Sequence, residues 1–179
     1  LPILSHGEDP IWKWADYSGA LTNLANAPTY AKRLTSCMNR LVISNVGEGG
    51  YEYTGRVRWS EPGNPENWTI DTTGKSGRHD IMDYHGGVEA FANVKAQITR
   101  GHEVFFFTER GLWKCDFSAV DRNFILVNPS TEIMSPRALC MKDGKIYFIG
   151  KNDLYWTGGG DPTAFGLPIR DEMFSEVDN

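Results

Sequence analysis

Residues Trp59-Ser60-Glu61-Pro62-Gly63-Asn64-Pro65-Glu66-Asn67-Trp68 form a turn bounded by two indoles at the end of an apolar run. The same shape returns 97 positions later, without a gap, as Trp156-Thr157-Gly158-Gly159-Gly160-Asp161-Pro162-Thr163-Ala164-Phe165. Trp59 aligns with Trp156, Ser60 with Thr157, Gly63 with Gly160, Asn64 with Asp161, Pro65 with Pro162 and Trp68 with Phe165. Two copies of one turn in one chain imply a repeated structural unit.

The repeat extends outward from these turns. Residues 104–113 (VFFFTERGLW) and 146–155 (IYFIGKNDLY) match at a constant offset of 42. Each reads as an apolar strand, a tight turn and the start of a second strand. An earlier copy is Arg40-Leu41-Val42-Ile43-Ser44, then a longer Gly-rich loop over 45–54, then Gly55-Arg56-Val57-Arg58-Trp59. Ile11-Trp12-Lys13 matches Leu112-Trp113-Lys114. The anchors Trp12, Trp59, Trp113 and Tyr155 are 47, 54 and 42 residues apart. A period of roughly 40–50 residues with about four strands per unit is that of a β-propeller blade.

The expected fold is therefore all-β, a β-propeller or partial propeller of about four blade-like four-stranded repeats. The repeats fall near 1–26, 27–85, 86–128 and 129–179. The first strands are expected at 30–34, 86–91 and 132–139, and the central apolar strands at 41–46, 104–108 and 146–150. Central strands covered on both faces read as nearly continuous apolar runs. Short helical patches are expected near 20–25 and 172–177. Both ends of the chain fall inside the repeat pattern and Leu1 is not Met, so the expectation is an arc of a larger propeller.

Composition sets outer limits. The chain has 179 residues, 40% hydrophobic and 23% charged, an ordinary globular balance. A net charge of −5 argues against non-specific nucleic-acid binding, which needs a basic footprint. No apolar run reaches the roughly 18–20 residues of a membrane helix, and the start lacks a signal-peptide pattern. Cys37, Cys115 and Cys140 have no metal spacing and read as reduced, buried thiols.

Four segments carry a family resemblance. They are 39–44 with 55–68 (NRLVIS and GRVRWSEPGNPENW), 103–113 (EVFFFTERGLW), 144–150 (GKIYFIG) and 168–178 (PIRDEMFSEVD). In this order they resemble the propeller-type tail hub or nozzle (tail tube) virion proteins of short-tailed bacteriophages. The resemblance covers most of 30–178. Family members are several hundred residues long, and the hairpin over 45–54 is longer and richer in Gly than the family pattern. The resemblance implies a homo-oligomeric, hexameric ring in the virion tail, assembled in the host cytoplasm. Portal and adaptor would lie above it and a needle or spike below. DNA would pass through without specific binding, and no membrane, cofactor or catalysis would be involved.

The motifs were weighed for chemistry. The first turn is not a sugar-type Ser-x-Asp-x-Gly-x-x-Trp turn, because Pro62 stands where the Asp should be. It reads as a blade-closing loop, rigidified by Pro62 and Pro65, with Trp68 packing back on the next blade. If it has a function, Trp59, Pro62, Asn64, Pro65 and Trp68, with Trp156, Asp161 and Phe165, are contact residues presented to a neighbour. The cluster Arg78-His79-Asp80-Ile81-Met82-Asp83-Tyr84-His85 has neither Zn nor Ca²⁺ spacing and reads as a solvated loop. No nucleophile elbow, phosphate loop or His-Glu-x-x-His is present, and no catalytic or metal residue is assigned. The carboxylate pairs Asp80/Asp83 and Asp171/Glu172 read as surface charge. Arg56 and Arg58 read as surface ion pairs, or as residues standing along a conduit or ring interface. A carbohydrate- or receptor-binding propeller module, stacking sugars on loops such as 59–68, is the alternative function. A glycosidase-type propeller is the third.

Overall fold

Gly49 and Gly50 both adopt positive φ, 58° and 83°. Two such residues make the tight hairpin turn whose twist matches that of the flanking strands. The loop expected over 45–54 is consequently absent. Strand continues instead to within two residues of its partner, giving β5 (Arg40–Glu48) and β6 (Tyr51–Trp59), the longest strands here. The extra length is absorbed by a register shift between Ser44 and Val46, with Asn45 at φ 55°. The structure, a computed structural model, describes residues 2–15, 17, 19–85 and 88–166.

Those residues form five antiparallel sheets and no helix. The first holds β1 (Ile3–Leu4), β2 (Trp12–Lys13) and β3 (Thr22–Asn23). The second holds β4 (Tyr30–Cys37), β5, β6 and β7 (Gly77–Asp80). A hairpin of β8 (Met82–His85) and β9 (Val88–Phe91) follows. The next sheet holds β10 (Ala96–Arg100), β11 (Glu103–Phe107), β12 (Leu112–Asp116) and β13 (Phe124–Asn128). The last holds β14 (Leu139–Lys142), β15 (Lys145–Ile149), β16 (Leu154–Thr157) and β17 (Thr163–Ala164). In each four-stranded sheet, spatial order follows chain order.

Three cores separate the sheets. Between the first and second sheets lie Ile11, Leu24, Leu41, Ile43, Val46 and Trp68. Between the second sheet and that of β10–β13 lie Val42, Val57, Trp59, Val104, Phe106 and Phe117. Phe105, Phe107, Leu112, Ile146 and Phe148 fill the space before the last sheet. Odd and even residues of β11 thus face different cores, and Val104, Phe105, Phe106 and Phe107 are all fully buried. A strand covered on both faces must be apolar at every position, so the run Val104-Phe105-Phe106-Phe107 was readable as central. β10 runs beside both β4 and β14. Thr35 and Thr99 share a hydroxyl bond of 2.9 Å across the first of these contacts, and Gln97 donates to the Val42 carbonyl at 2.9 Å. Arg100 Nε donates to the Gly144 carbonyl, 2.7 Å, across the second.

Several expected elements differ. The strand expected at 86–91 belongs in part to the separate hairpin. The strand running beside β4 is instead β10, because Ala96, Gln97, Ile98 and Thr99 alternate between the two flanking sheets. The strand expected at 132–139 begins only at Leu139, after turns at 135–138. Residues 20–25 carry β3 rather than a helical turn. Residues 78–85 are not a solvated loop but parts of β7 and β8. The patch at 172–177 and the family segment 168–178 lie outside the described residues.

The register also re-sorts the tryptophan anchors. Trp59 opposes Val42, and Trp156 opposes Tyr147, on the sheet face that looks toward the following sheet. Trp113 opposes Phe106, and Tyr155 opposes Phe148, on the face that looks back. Trp59 is therefore equivalent to Trp156, as the turn alignment has it, and not to Trp113. We call these two faces trailing and leading.

Candidate functional site

The two turns are built from the same start. Ser60 is fully buried, accepts the Leu41 amide at 3.0 Å on Oγ and donates to the Glu61 carbonyl at 3.2 Å. At the matching place, the Thr157 hydroxyl donates to the Gly160 carbonyl at 2.6 Å and accepts the Gly159 amide at 3.0 Å. A hydroxyl beside a strand end competes for backbone groups and bends the chain out of the ladder.

The first turn then closes on itself. The Glu61 amide donates to the Asn67 carbonyl and the Asn64 amide to the Glu61 carbonyl, 3.0 and 3.2 Å. Asn67 Nδ2 donates to Glu61 Oε2 at 2.9 Å. Gly63, at φ 74°, donates its amide to the Asn39 carbonyl at 2.8 Å, tying the tip to the β4–β5 turn. Glu66 reaches the first sheet, accepting Lys13 Nζ at 2.6 Å and the Ala25 amide at 3.2 Å. The Lys13 ammonium, then the Ala25 amide, hold the Glu66 carboxyl below the usual carboxylate range.

The bounding indoles face opposite ways. Trp59 enters the core on the trailing side, edge-on to Phe117 at 5.8 Å and near Phe124 at 6.2 Å. Its cross-strand partner is Gly77, where an added Cβ would lie 2.6 Å from the indole. Trp68 enters the core on the leading side with Ile11 and Leu24. The expectation that Trp68 packs on the next blade is reversed: it packs on the preceding sheet. Trp59 and Trp68 are both buried within the chain, so their rings are closed to any outside partner or sugar. What the turn presents outward is Pro62, Gly63 and Asn64, with Pro65 half-buried. Gly63 and Pro65 border a groove of about 550 Å³ that also touches Leu34 and Arg40.

The second turn is open. Trp156 is only half-buried, with Lys145 Nζ 4.0 Å above its ring. Asp161 accepts Asn128 Nδ2 at 3.1 Å. Phe165 sits edge-on to Tyr147 at 5.9 Å and remains 44% exposed. Phe165 and Tyr147 border a groove of about 290 Å³ with Cys140 and Leu154. The eight candidate contact residues thus fall in two places that do not meet: one joint between sheets and one half-open turn on the last described sheet.

Arg56 and Arg58 make ion pairs, but buried ones rather than surface ones. They are 7% and 8% exposed. Arg56 forms a two-pronged bond with Asp80, 2.7 Å on each arm, and reaches Glu48 at 3.1 Å. Arg58 pairs with Glu48 at 2.8 Å and donates to the Trp68 carbonyl at 2.7 Å. The Asp80 hydrogen bond raises the Arg56 pKa, and Arg56 in turn lowers that of Asp80. Burial lowers that of Arg58. The missed member is Glu48. Its signal was the hairpin turn at Gly49-Gly50, which places Glu48 at the end of β5 alongside the arginine-bearing strand.

Two further polar residues of the 78–85 segment, His79 and Asp83, have partners inside the fold. His79 stacks on Phe124 at 4.0 Å and 8°, and burial lowers its pKa. Asp83 accepts Trp113 Nε1 and the Thr108 hydroxyl, both at 3.4 Å. Asp80 and Asp83 therefore serve different partners, and Asp171/Glu172 lie outside the described residues. Among the described residues, no three His, Cys, Asp or Glu side chains gather as a metal site, and no helix is long and apolar enough to cross a membrane. Cys37 and Cys115 are buried, and burial pushes their thiols up to about 11 and about 12. Cys140 is exposed, contrary to expectation, because no sheet among the described residues lies over the face that carries it. No protein-family model matches the chain, and no curated protein is significantly similar to it.

Proposed function

We propose that the stacked sheets are blades of a β-propeller or an arc of one, and that the chain is a non-catalytic structural part of a short-tailed phage tail hub or nozzle. In this reading copies assemble into a ring, a hexamer by the family resemblance, between portal and adaptor above and needle or spike below. The ring forms part of the DNA-ejection conduit in the virion. Its mechanism is geometric: rigid sheets hold loops at fixed positions, and an acidic wall does not grip a passing polyanion.

The observation that carries the reading is the first turn. The segment with the strongest resemblance to that family, 39–68, is also the segment that fastens one sheet to its two neighbours. A turn with that task supports an architectural reading. Purified chain viewed by electron microscopy should give rings with an open centre, and a mobility assay at physiological salt should show no shift of duplex DNA. Compact particles without a channel, or a shifted duplex, would count against the proposal.

A carbohydrate- or receptor-binding module is the second reading. It is favoured by a cavity of about 370 Å³ lined by Tyr155, Glu132, Asn152 and Ser130. Aromatic and planar polar groups together suit a polyhydroxylated ligand. A glycan array with Tyr155→Ala as control separates the two, since only the second reading expects a signal that Tyr155→Ala removes.

A further inference from the structure

The edge of a sheet presents a row of unpaired N–H and C=O groups, and natural sheets blunt such edges with short strands or charged side chains. β3, β7, β13 and β17 are the last strands of their sheets. β3 and β17 are two residues long, and β7 carries Arg78 and Asp80 among its four residues. β13 has neither protection: Phe124-Ile125-Leu126-Val127-Asn128 is five residues without a charge. It pairs with β12 alone, at the end of its sheet opposite β10, and among the described residues no other strand bonds to it. Ile125 is 53% exposed and Leu126 41%. Ile125 lies across from Lys114 and Leu126 across from Trp113, so each face of the sheet carries one of the two. β13 lies in the middle of the chain, with described strands before and after it.

We propose that the free edge of β13 pairs with β13 of a second copy of this chain, antiparallel about a two-fold axis at Leu126. The occupant is argued from the strand and its flanks. The register centred on Leu126 keeps all five residues paired: Leu126 meets its own copy, Ile125 meets Val127, and Phe124 meets Asn128. Beyond the strand, Arg122 falls opposite Ser130 and Asp121 opposite Thr131, so no charge meets a like charge. Aliphatic pairs across strands are stabilising and like charges directly opposite are not, so this edge is complementary to itself. Ile125 and Leu126 gain cover on opposite faces, while the backbone groups that point away from β12 gain partners. A two-fold contact uses the same patch on both copies and closes at two chains. It goes beyond the function proposed above and does not rest on it. The contact uses the far strand of one sheet, and DNA passage, virion location and a ring of copies play no part in it, so the two can fail separately.

The test exploits the axis, which sets residue 126 against itself. A five-residue ladder is a small contact of the weak, transient kind, so the full 179-residue chain is followed by light scattering in dilutions from ~100 µM. The unaltered chain should give twice the 20.1 kDa of one chain at the top of the series. Leu126→Lys and Leu126→Glu should each weaken association at least about tenfold, because like charges then face each other across the axis. An equimolar mixture of the two variants should regain association, since Lys then faces Glu, and that recovery also shows that both variants fold. A single-chain mass for the unaltered protein overturns the proposal. So do variants that associate as the unaltered chain does, which would mark a contact through other surfaces, or a mixture no stronger than either variant alone. Slow hydrogen exchange at β13 in a single-chain species would assign the edge to another segment of the same chain, and overturns it as well.

Discussion

The turns at 59–68 and 156–165 begin alike and end in different surroundings. Both leave their strand at a tryptophan followed by a hydroxyl residue that bonds backbone. The first has a sheet on either side, so Trp59 and Trp68 are buried in two different cores and Glu66 reaches back to Lys13. Among the described residues, the second has a sheet on one side only. Trp156 and Phe165 are then left with Lys145 and Tyr147 as cover. One sequence pattern therefore yields a joint between sheets at 59–68 and a half-open turn at 156–165. Position in the repeat, more than motif, decides which residues are free to act.

Stability measurements can break this contrast. Trp68→Ala and Trp59→Ala should each lower the unfolding free energy by about 3–5 kcal/mol in urea titrations. Phe165→Ala should cost under about 1 kcal/mol, as surface changes do, and similar losses in both turns would remove the distinction. Trp68→Phe should cost about 1.5 kcal/mol or less. Its indole N–H is buried without an acceptor among the described residues, so the donor is no loss. Next in size is the charge network of the second sheet. Asp80→Ala should cost about 2 kcal/mol by leaving Arg56 with Glu48 alone, with Asp161→Ala in the open turn as the near-silent control. Gly50→Ala, forced into positive φ at the β5–β6 turn, should cost ~1 kcal/mol by thermal melting.

The smallest effect is on pH. Burial keeps the folded-state pKa of His79 below the ordinary 6.5. As pH falls below that value the unfolded chain takes up the proton first, so stability should decline toward pH 5. The slope should stay under ~1 kcal/mol per pH unit and vanish in His79→Phe. Asp80 acts in the same direction at lower pH. Its depressed pKa adds stability above the unfolded value of 3.8, lost only as pH falls through the folded value. The two residues should therefore separate into two acid limbs.

How much was legible in the sequence varied with the range of the interaction. Val104-Phe105-Phe106-Phe107 read correctly as a central strand because burial on both faces leaves no polar position. The 97-residue turn repeat also held, since it reflects equivalent strand ends. The Trp59–Trp113 match misled, because an indole alone does not say which face of the strand it occupies; only cross-strand register does. The hairpin loop at 45–54 was misjudged by counting glycines. Two of them form a minimal turn, while Gly47 and Gly55 sit inside strands where an added Cβ would strike the Tyr30 ring or the Ile81 carbonyl. Glu48 and its arginines were invisible as a network because the partners come from three different strands. The burial of Trp59 and Trp68 was equally beyond local reading, since it depends on which sheets lie on either side.

Hydrogen exchange followed by mass spectrometry compares the two turns within one molecule. In dilute solution, the amides of Ser60, Glu61 and Gly63 should exchange slowly. All three donate to backbone carbonyls, and the first turn opens only when two cores do. The amides of 158–165 should exchange faster by at least about a hundredfold, consistent with a difference of roughly 3 kcal/mol in opening free energy. Equal protection of the two turns, or faster exchange in the first, would show that the 59–68 segment is not the joint between the sheets.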